Sequence, residues 1–298
     1  MPELPEVQTT VNYLELKVLK RTFVDVWSDW EKLVKKPKDF WQFKKEIKNK
    51  KIIKIWRRAK NIIFNLSGEP ALSGSEGYSL LAHQKMTGHF LIGNWEEKNN
   101  KWQPVKQGPL NDPYNRFLHL IFFLDNGEML ALSDARKFAK VELWKTGELK
   151  KELEKLGPEP LDKSFTFEKF KEVLKNKRGK VKQVLMDQNV VAGIGNIYSS
   201  EILWQAKIHP ERNIASLDEK ELELLYQSIK KVLQLGIKLG GESFSDYRKP
   251  DGSKGDYDTE RNVYRREGQK CKRCGTKIKR LKVGQRSAFF CPSCQKLK

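Results

Sequence analysis

The sequence predicts an α+β chain built in parts: an N-terminal β-sandwich lobe, a helical lobe and a small C-terminal module rich in cysteine. Runs of β-branched and aromatic residues fill the first half, helical periodicity takes over after residue 144, and all four cysteines fall within residues 271–294. At 298 residues the chain can bury more than one core, and 38% hydrophobic with 10% aromatic content excludes wholesale disorder.

The elements follow in order. Residues 7–20 carry a helical pattern behind an opening Pro2-Glu3-Leu4-Pro5-Glu6, where Pro5 suits a first helical turn. Strand-like runs lie at 23–27, 51–56, 62–66 and 78–81. Two more, 117–124 and 129–132, flank Asp125-Asn126-Gly127, which has hairpin-turn chemistry. Seven of the eight tryptophans precede residue 150, where core packing is their expected role. Gly157-Pro158-Glu159-Pro160 reads as a linker turn. Helical patterns then occupy 167–175, 181–188, 196–205 and a long stretch from 217. Ser216-Leu217-Asp218-Glu219 reads as the capping box of that last helix. Its apolar face runs Leu222, Leu225, Ile229 and Val232, and Gly240-Gly241 ends it. A Gly-, Ser- and Asp-rich stretch follows and reads as a mobile loop. The expected spans are therefore 1–145, 146–241, 242–260 and 261–298.

Charge is unevenly spread. The formal net charge is +20, and residues 261–298 hold 13 Lys and Arg against Glu267 alone. A polyanionic partner is expected, and nucleic acid fits better than a membrane because no basic amphipathic anchor accompanies the charge. No run approaches the ~18 apolar residues that cross a bilayer, and no apolar signal core opens the chain. A cytoplasmic protein without a membrane partner is the expectation. Lys35-Lys36-Pro37-Lys38 reads as a solvated loop.

Cys271 and Cys274 form one CxxC and Cys291 and Cys294 another, with sixteen residues between them. Two such knuckles supply four thiolates to one tetrahedral Zn²⁺. A module this short cannot build a core, so the metal would supply much of its folding energy. Redox pairs or disulfides compete with this reading, but structural disulfides do not suit a cytoplasmic chain. Four thiolates close the coordination shell, so the zinc is structural. Between the knuckles, residues 282–290 read as a β-hairpin whose tip presents Arg286.

Two further segments carry candidate chemistry. Gly193-Ile194-Gly195 precedes a helix start at Asn196. Such a turn suits backbone amides close to a phosphate, or else a tight corner that needs φ > 0; the residues leave both open. At the N-terminus, removal of Met1 would make Pro2 a secondary amine. An α-amino group titrates near ~7.7–8, which leaves part of it nucleophilic at neutral pH, with Glu3 beside it to move protons. Taken alone, a Met-Pro start is more often a frayed terminus.

Together, Pro2-Glu3-Leu4-Pro5-Glu6, Gly193-Ile194-Gly195-Asn196-Ile197-Tyr198, Gln285-Arg286-Ser287 and the four cysteines resemble the formamidopyrimidine-DNA glycosylase/endonuclease VIII family of base-excision repair enzymes. The resemblance spans the chain, and Leu4 looks like the formamidopyrimidine branch. It implies a helix–two-turn–helix domain between the sandwich and the zinc finger, with residues 242–260 as a lesion-capping loop. It implies Pro2 as the Schiff-base nucleophile and Glu3 as the acid that assists base loss and ring opening. Lys60 matches the family lysine that contacts phosphate and serves β-elimination, and Arg286 the finger arginine assigned to δ-elimination. Asn196, Tyr198, Lys182, His83 and His119 match groups near the DNA backbone, with Lys177 and Arg178 as weaker phosphate candidates. Met86, Arg136 and Phe138 match the residues that fill the void left by a flipped base. Tyr257, in the capping loop, is a candidate base contact.

Departures from the family pattern are local. Ser133-Asp134-Ala135-Arg136-Lys137-Phe138-Ala139 lacks the usual Pro and Gly of the void-filling loop, and Gln84-Lys85 replaces a usual Leu-Gly before Met86. These changes put opposite-base preference in doubt. Residues 94–108 look like an insertion without an assigned role. The resemblance implies a bifunctional DNA glycosylase and AP lyase for 8-oxoguanine and formamidopyrimidines. Its partner would be damaged double-stranded DNA, bound by a monomer at the bacterial nucleoid. Preference for oxidised pyrimidines is one alternative; a zinc-containing nucleic-acid binder without catalysis is another.

Overall fold

A computed structural model describes residues 1–67 and 77–297. Two compact units emerge, Met1–Glu154 with Gly240–Asp256, and Lys155–Leu239 with the residues from Tyr257 on.

The N-terminal unit opens with helix α1 (Leu4–Val18), whose Val7, Val11, Leu14 and Val18 recur at helical spacing and are buried. Strands β1 (Phe23–Trp27) and β2 (Val34–Lys36) follow, then helix α2 (Phe40–Ile47), capped by the Asp39 carboxylate accepting from Gln42 N–H at 2.9 Å. Next come β3 (Ile52–Arg58), β4 (Asn61–Leu66), β5 (Tyr78–His83), β6 (His89–Gly93), β7 (Trp95–Lys98) and β8 (Lys101–Pro104). The unit continues with β9 (Leu118–Leu124), β10 (Met129–Ser133), β11 (Lys140–Lys145) and helix α3 (Thr146–Leu153). One sheet has the order β1-β9-β10-β6 and the other β2-β11-β5-β4-β3. Their inner faces share one core, in which Phe23, Phe90 and Phe122 of the first sheet join Phe64, Leu80 and Val141 of the second. The expected sandwich is present. Its boundary falls after Glu154 rather than residue 145, because Leu149 and Leu153 of α3 are buried in this unit.

The inserted segment has a structural role that its polar sequence hid. Strands β7 and β8 pair through Asn99-Asn100, both at positive φ as a two-residue hairpin turn requires. Trp95 and Trp102 then cover the outer face of the first sheet, over Leu91, Ile121 and Ala131. This explains why β9 reads as a nearly continuous apolar run: both of its faces are covered.

The span 242–260, expected as one mobile loop, divides instead. Residues up to Asp256 are pinned to the sandwich: Glu242 N–H donates to Glu6 Oε1 at 2.8 Å, and Arg248 is buried against Asp112 at 3.0 Å. Tyr257–Glu260 forms the short helix α8 of the second unit.

In that unit, α4 (Phe167–Leu174), α5 (Val181–Met186), α6 (Asn196–Gln205) and α7 (Glu219–Lys238) precede α8, and β12 (Lys279–Val283) and β13 (Arg286–Phe290) close it. Helix α7 is capped by Asp218, which accepts from Glu221 N–H at 2.8 Å, not by the expected Ser216. The Ser216 hydroxyl is engaged by the Asn213 carbonyl, inside a 3₁₀ turn that comes first. No helix among the described residues is long and apolar enough to cross a membrane.

Candidate active site and phosphate-binding surface

In the N-terminal unit the chain start is held rigidly. Pro2 is buried, and Glu3 is the N-cap of α1 with extended backbone. The Glu6 carboxylate fixes this start from two sides: Oε2 accepts from Glu3 N–H at 2.7 Å and Oε1 from Glu242 N–H at 2.8 Å. The Glu6 carbonyl accepts from the buried Tyr247 hydroxyl at 3.1 Å. Gly241, at φ +83°, makes room, since a Cβ there would lie 2.8 Å from the Glu6 side chain. In the sequence Glu6 stands out only as part of the opening motif. Its spacing of three from Glu3, that of a capping box, was the available signal.

Lys60 sits in the two-residue turn between β3 and β4, after Ala59 at φ +52°, and is buried. The neighbouring Asn61 pairs with His83 across β4 and β5, and Lys140 of β11 pairs with His83 from the other side. Burial, then the charges of Lys85, Lys140 and Lys60, push the His83 ring down to about 3. The ring is neutral, and because Nδ1 accepts from Lys85 N–H at 2.9 Å, the proton sits on Nε2. A neutral N–H donor flanked by ammonium groups suits a phosphate oxygen.

Met86, Arg136 and Phe138 stand on two turns that are tied together. The buried Asp134 carboxylate accepts from the Thr87 hydroxyl and, at 2.7 Å, from Ala139 N–H, while Arg136 N–H donates to Thr87 Oγ1 at 3.1 Å. Phe138 remains half exposed, with the Arg136 guanidinium 4.5 Å over its ring. Asp134 thus ties the two turns together without the usual Pro and Gly. Ala139 is accommodated because Gly88 faces it; a Cβ on Gly88 would lie 3.2 Å from that methyl and 2.4 Å from the Gln84 carbonyl. His119 is largely turned inward, with Nδ1 bound to Asp29 at 2.7 Å.

The second unit sorts its candidates more sharply. Asn196 begins α6 and lines a cavity of about 400 Å³ with Arg286 from the finger hairpin. Two neighbours correct the sequence reading. Lys182 was expected near the DNA backbone, but it is 1% exposed and donates to Ser199 Oγ and Ser200 Oγ at 2.8 Å and to the Asn196 carbonyl at 3.1 Å. It braces the start of α6 instead. Tyr198 is fully buried, with its ring 4.9 Å from that of Tyr257, which is buried too. Neither ring presents a surface for a strand or a base. Lys177 is half-buried and Arg178 exposed, the latter donating to the Lys177 carbonyl at 3.0 Å. Of the two glycines before α6, Gly193 takes φ +88° and donates to Gln188 Oε1 at 2.9 Å, so the tight-corner reading applies there.

The four cysteine sulfurs lie within 4.8 Å of one another. A Zn²⁺ with ~2.3 Å bonds spaces tetrahedral thiolates about 3.8 Å apart, so the cluster needs only a small contraction to close on the ion. Trp204 Nε1–H and Arg273 N–H both donate to Cys271 Sγ at 3.4 Å, as the outer bonds of a thiolate site should. The module is docked on α6 through the buried Glu201 carboxylate, which accepts from Asn262, Val263 and Tyr264 N–H at 2.8–2.9 Å. Glu201, which no motif in the sequence marks, fixes the finger relative to Asn196.

Comparison with known proteins gives the same picture. Family models described as the formamidopyrimidine-DNA glycosylase N-terminal domain, the H2TH domain of the same glycosylase, and a zinc finger found in FPG and IleRS match residues 1–141, 156–248 and 268–297. A formamidopyrimidine-DNA glycosylase of Pelotomaculum thermopropionicum is 39% identical with both chains fully covered. One of Ligilactobacillus salivarius is 35% identical, again over the whole of both. Among solved structures, Lactococcus lactis Fpg bound to abasic-site DNA is 35% identical, with a TM-score of 0.83 over 99% of this chain and 100% of that one. The same protein bound to DNA containing Fapy-dG gives 0.82 over the same shares at 35% identity.

Proposed function

The chain belongs to the formamidopyrimidine-DNA glycosylase family, and from that premise we propose that it excises oxidised purines from damaged double-stranded DNA through Pro2. The carrying observation is the fixed head of α1: Pro2 is buried and the next backbone N–H is held by Glu6. Such a nitrogen is pre-positioned rather than frayed, and orientation of this kind supplies much of an enzyme's rate.

After Met1 is removed, the Pro2 nitrogen attacks C1′ and the bond from C1′ to the damaged base breaks. Glu3 gives a proton to O4′ as the sugar ring opens, leaving an iminium between Pro2 and C1′. Loss of a C2′ proton then expels the 3′ phosphate, with Lys60 beside the phosphodiester. A second elimination expels the 5′ phosphate, held by Arg286, whose planar fork suits it. Water releases the sugar fragment from Pro2. His83 would donate Nε2–H to a backbone oxygen, and Met86, Arg136 and Phe138 would occupy the space of the flipped base. Cys271, Cys274, Cys291 and Cys294 would hold one Zn²⁺, which organises the finger and takes no part in bond breaking. The working form is a monomer acting at the bacterial nucleoid, which gel filtration and imaging of a tagged protein would check.

Borohydride trapping tests the proposal. Wild-type protein with verified Met1 removal should form a covalent adduct with an abasic duplex, and Pro2→Gly should lose most of it. Absence of the wild-type adduct would leave only the non-catalytic binder. A lesion panel separates purine from pyrimidine preference.

A further inference from the structure

Residues 240–255 close into a loop of their own within the N-terminal unit. Its ends meet: a Cβ on Gly255 would collide with the Gly240 carbonyl, and Gly255 N–H donates to Ser243 Oγ at 2.8 Å. Compact loops with touching ends, packed by their own side chains, are frequently functional. One footing is the head of α1, where Glu242 N–H and the Tyr247 hydroxyl both reach Glu6. The other is the sandwich beyond it: Asn115 Nδ2 donates to the Gly252 carbonyl at 3.1 Å, and Ile92 N–H to that of Pro250 at 2.8 Å. Between Glu242 and Tyr247 the chain forms an arch beside the N-terminus, and Phe244 on it is exposed.

The arch is neither helix nor strand, so its inward carbonyls need other donors. Arg248 supplies them from inside. It is 2% exposed, its Nη1 donates to the Ser245 and Tyr247 carbonyls at 2.8 Å, and its Nε lies 3.0 Å from Asp112 Oδ2. The guanidinium also lies over the Tyr114 ring, 4.6 Å from its centre. Asp112 is itself fixed, since its Oδ1 accepts from Tyr114 N–H at 2.9 Å. Burying a guanidinium costs desolvation, and an apolar side chain of similar volume often stabilises a protein as well or better. What an apolar side chain cannot do is hold two carbonyls and a carboxylate at set angles, which a planar fork of donors does. Arg248 thus determines the shape of the arch more than its stability.

We propose that Arg248 and Asp112 are positioning residues for base removal: they set the arch of residues 243–247 against the damaged base that Pro2 displaces, and have no part once that base is gone. The inference rests on the reading that Pro2 displaces a base.

The test uses the full, zinc-loaded protein under single-turnover conditions with two duplexes. One contains an oxidised purine; the other contains an abasic site, which has no base to hold. Arg248→Met should slow base release about 30-fold, since a misplacement of ~1 Å can cost ~100-fold. The same variant should cleave the abasic duplex within about 2-fold of the wild-type rate, because Glu6 still holds the chain start. Arg248→Lys should fall between the wild type and Arg248→Met, because an ammonium keeps the charge without the fork. Asp112→Asn keeps the shape but not the charge, and should slow base release about 3- to 10-fold with the same split between duplexes. Base release at the wild-type rate in Arg248→Met, or equal losses on both duplexes in a variant that melts like the wild type, overturns the positioning role. Should Arg248→Met fold poorly, Asp112→Asn decides alone, and unchanged base release in it overturns the role equally. Failure of the catalytic reading shows in the wild type, which would then trap no abasic duplex, so the two failures are distinct.

Discussion

The two units handle charge in opposite ways. In the N-terminal unit the polar groups of the site are drawn inward: Glu3, Glu6, Lys60 and Asp134 are buried, and His83 is kept neutral by its surroundings. In the second unit Arg265, Arg280 and Arg286 stand exposed around one cavity, and the buried Lys182 braces the start of the helix that Asn196 begins. The first arrangement suits chemistry, which needs groups in defined protonation states and fixed positions. The second suits electrostatic capture, which needs permanent charge that salt can screen. Their stabilities should differ in source as well: aromatic packing between and outside two sheets in one case, and in the other a helical core joined to a finger that a metal site holds together.

The largest effect expected concerns the metal. Cys291→Ser removes a buried zinc ligand from a module whose apolar cluster holds few residues besides two of the cysteines themselves. The finger should unfold, carrying Arg286 and its neighbours away from Asn196, and affinity for an abasic-analogue duplex should fall by about 100-fold or more. Zinc content and binding, measured together, check this; full affinity without zinc would erase the contrast between the units. Trp95→Ala is the reciprocal change. It opens a cavity under the β7–β8 hairpin and should destabilise the N-terminal unit by about 3 kcal/mol while zinc content stays at one. Thermal melts with zinc analysis would show it, and loss of zinc in this variant would mean the units are not independent in stability. Asp134→Ala is smaller, about 2 kcal/mol, because it frees Ala139 N–H and the Thr87 hydroxyl from a buried acceptor. Its distinguishing readout is altered discrimination among bases opposite the lesion, since the turns bearing Met86, Arg136 and Phe138 lose their tie.

Much of this was legible in the sequence, and the failures have physical causes. The two CxxC pairs specify a site by local spacing, and helix Asn196–Gln205 has the predicted bounds. The order β2-β11-β5-β4-β3 was not legible, because pairing between distant strands depends on which faces meet. Lys182 reads as a surface cation, and only the placement of Ser199, Ser200 and the Asn196 carbonyl around it reveals a satisfied buried amine. The burial of Tyr198 could have been anticipated, since Ile197, Tyr198, Ile202, Leu203 and Trp204 leave α6 without a polar face, the pattern of an enclosed helix. The pinning of residues 242–256 could not, because its anchors Glu6 and Asp112 lie far away in sequence and look like ordinary solvated acids.

The smallest predicted effect is set by pH and belongs to the N-terminal unit. Burial, helped by Lys85, Lys140 and Lys60, holds His83 down to about 3, whereas an imidazole in an unfolded chain titrates near ~6.5. Between those limits the unfolded chain binds a proton that the folded chain refuses. Its contribution to stability is therefore intact above ~6.5 and declines as pH falls, by at most about 1.4 kcal/mol per pH unit. From pH ~6.5 to ~5 the expected loss is about 1–2 kcal/mol, and His83→Gln should flatten that part of the melting profile. The flattening will be partial, since His89, enclosed and bound to Asn115 at 2.9 Å, is also pushed down by burial. In the second unit His209 is pushed down by burial as well, so an acid-induced loss of stability that His83→Gln leaves unaltered would place the acid sensitivity outside the catalytic unit's histidine and undo the division of labour between the two.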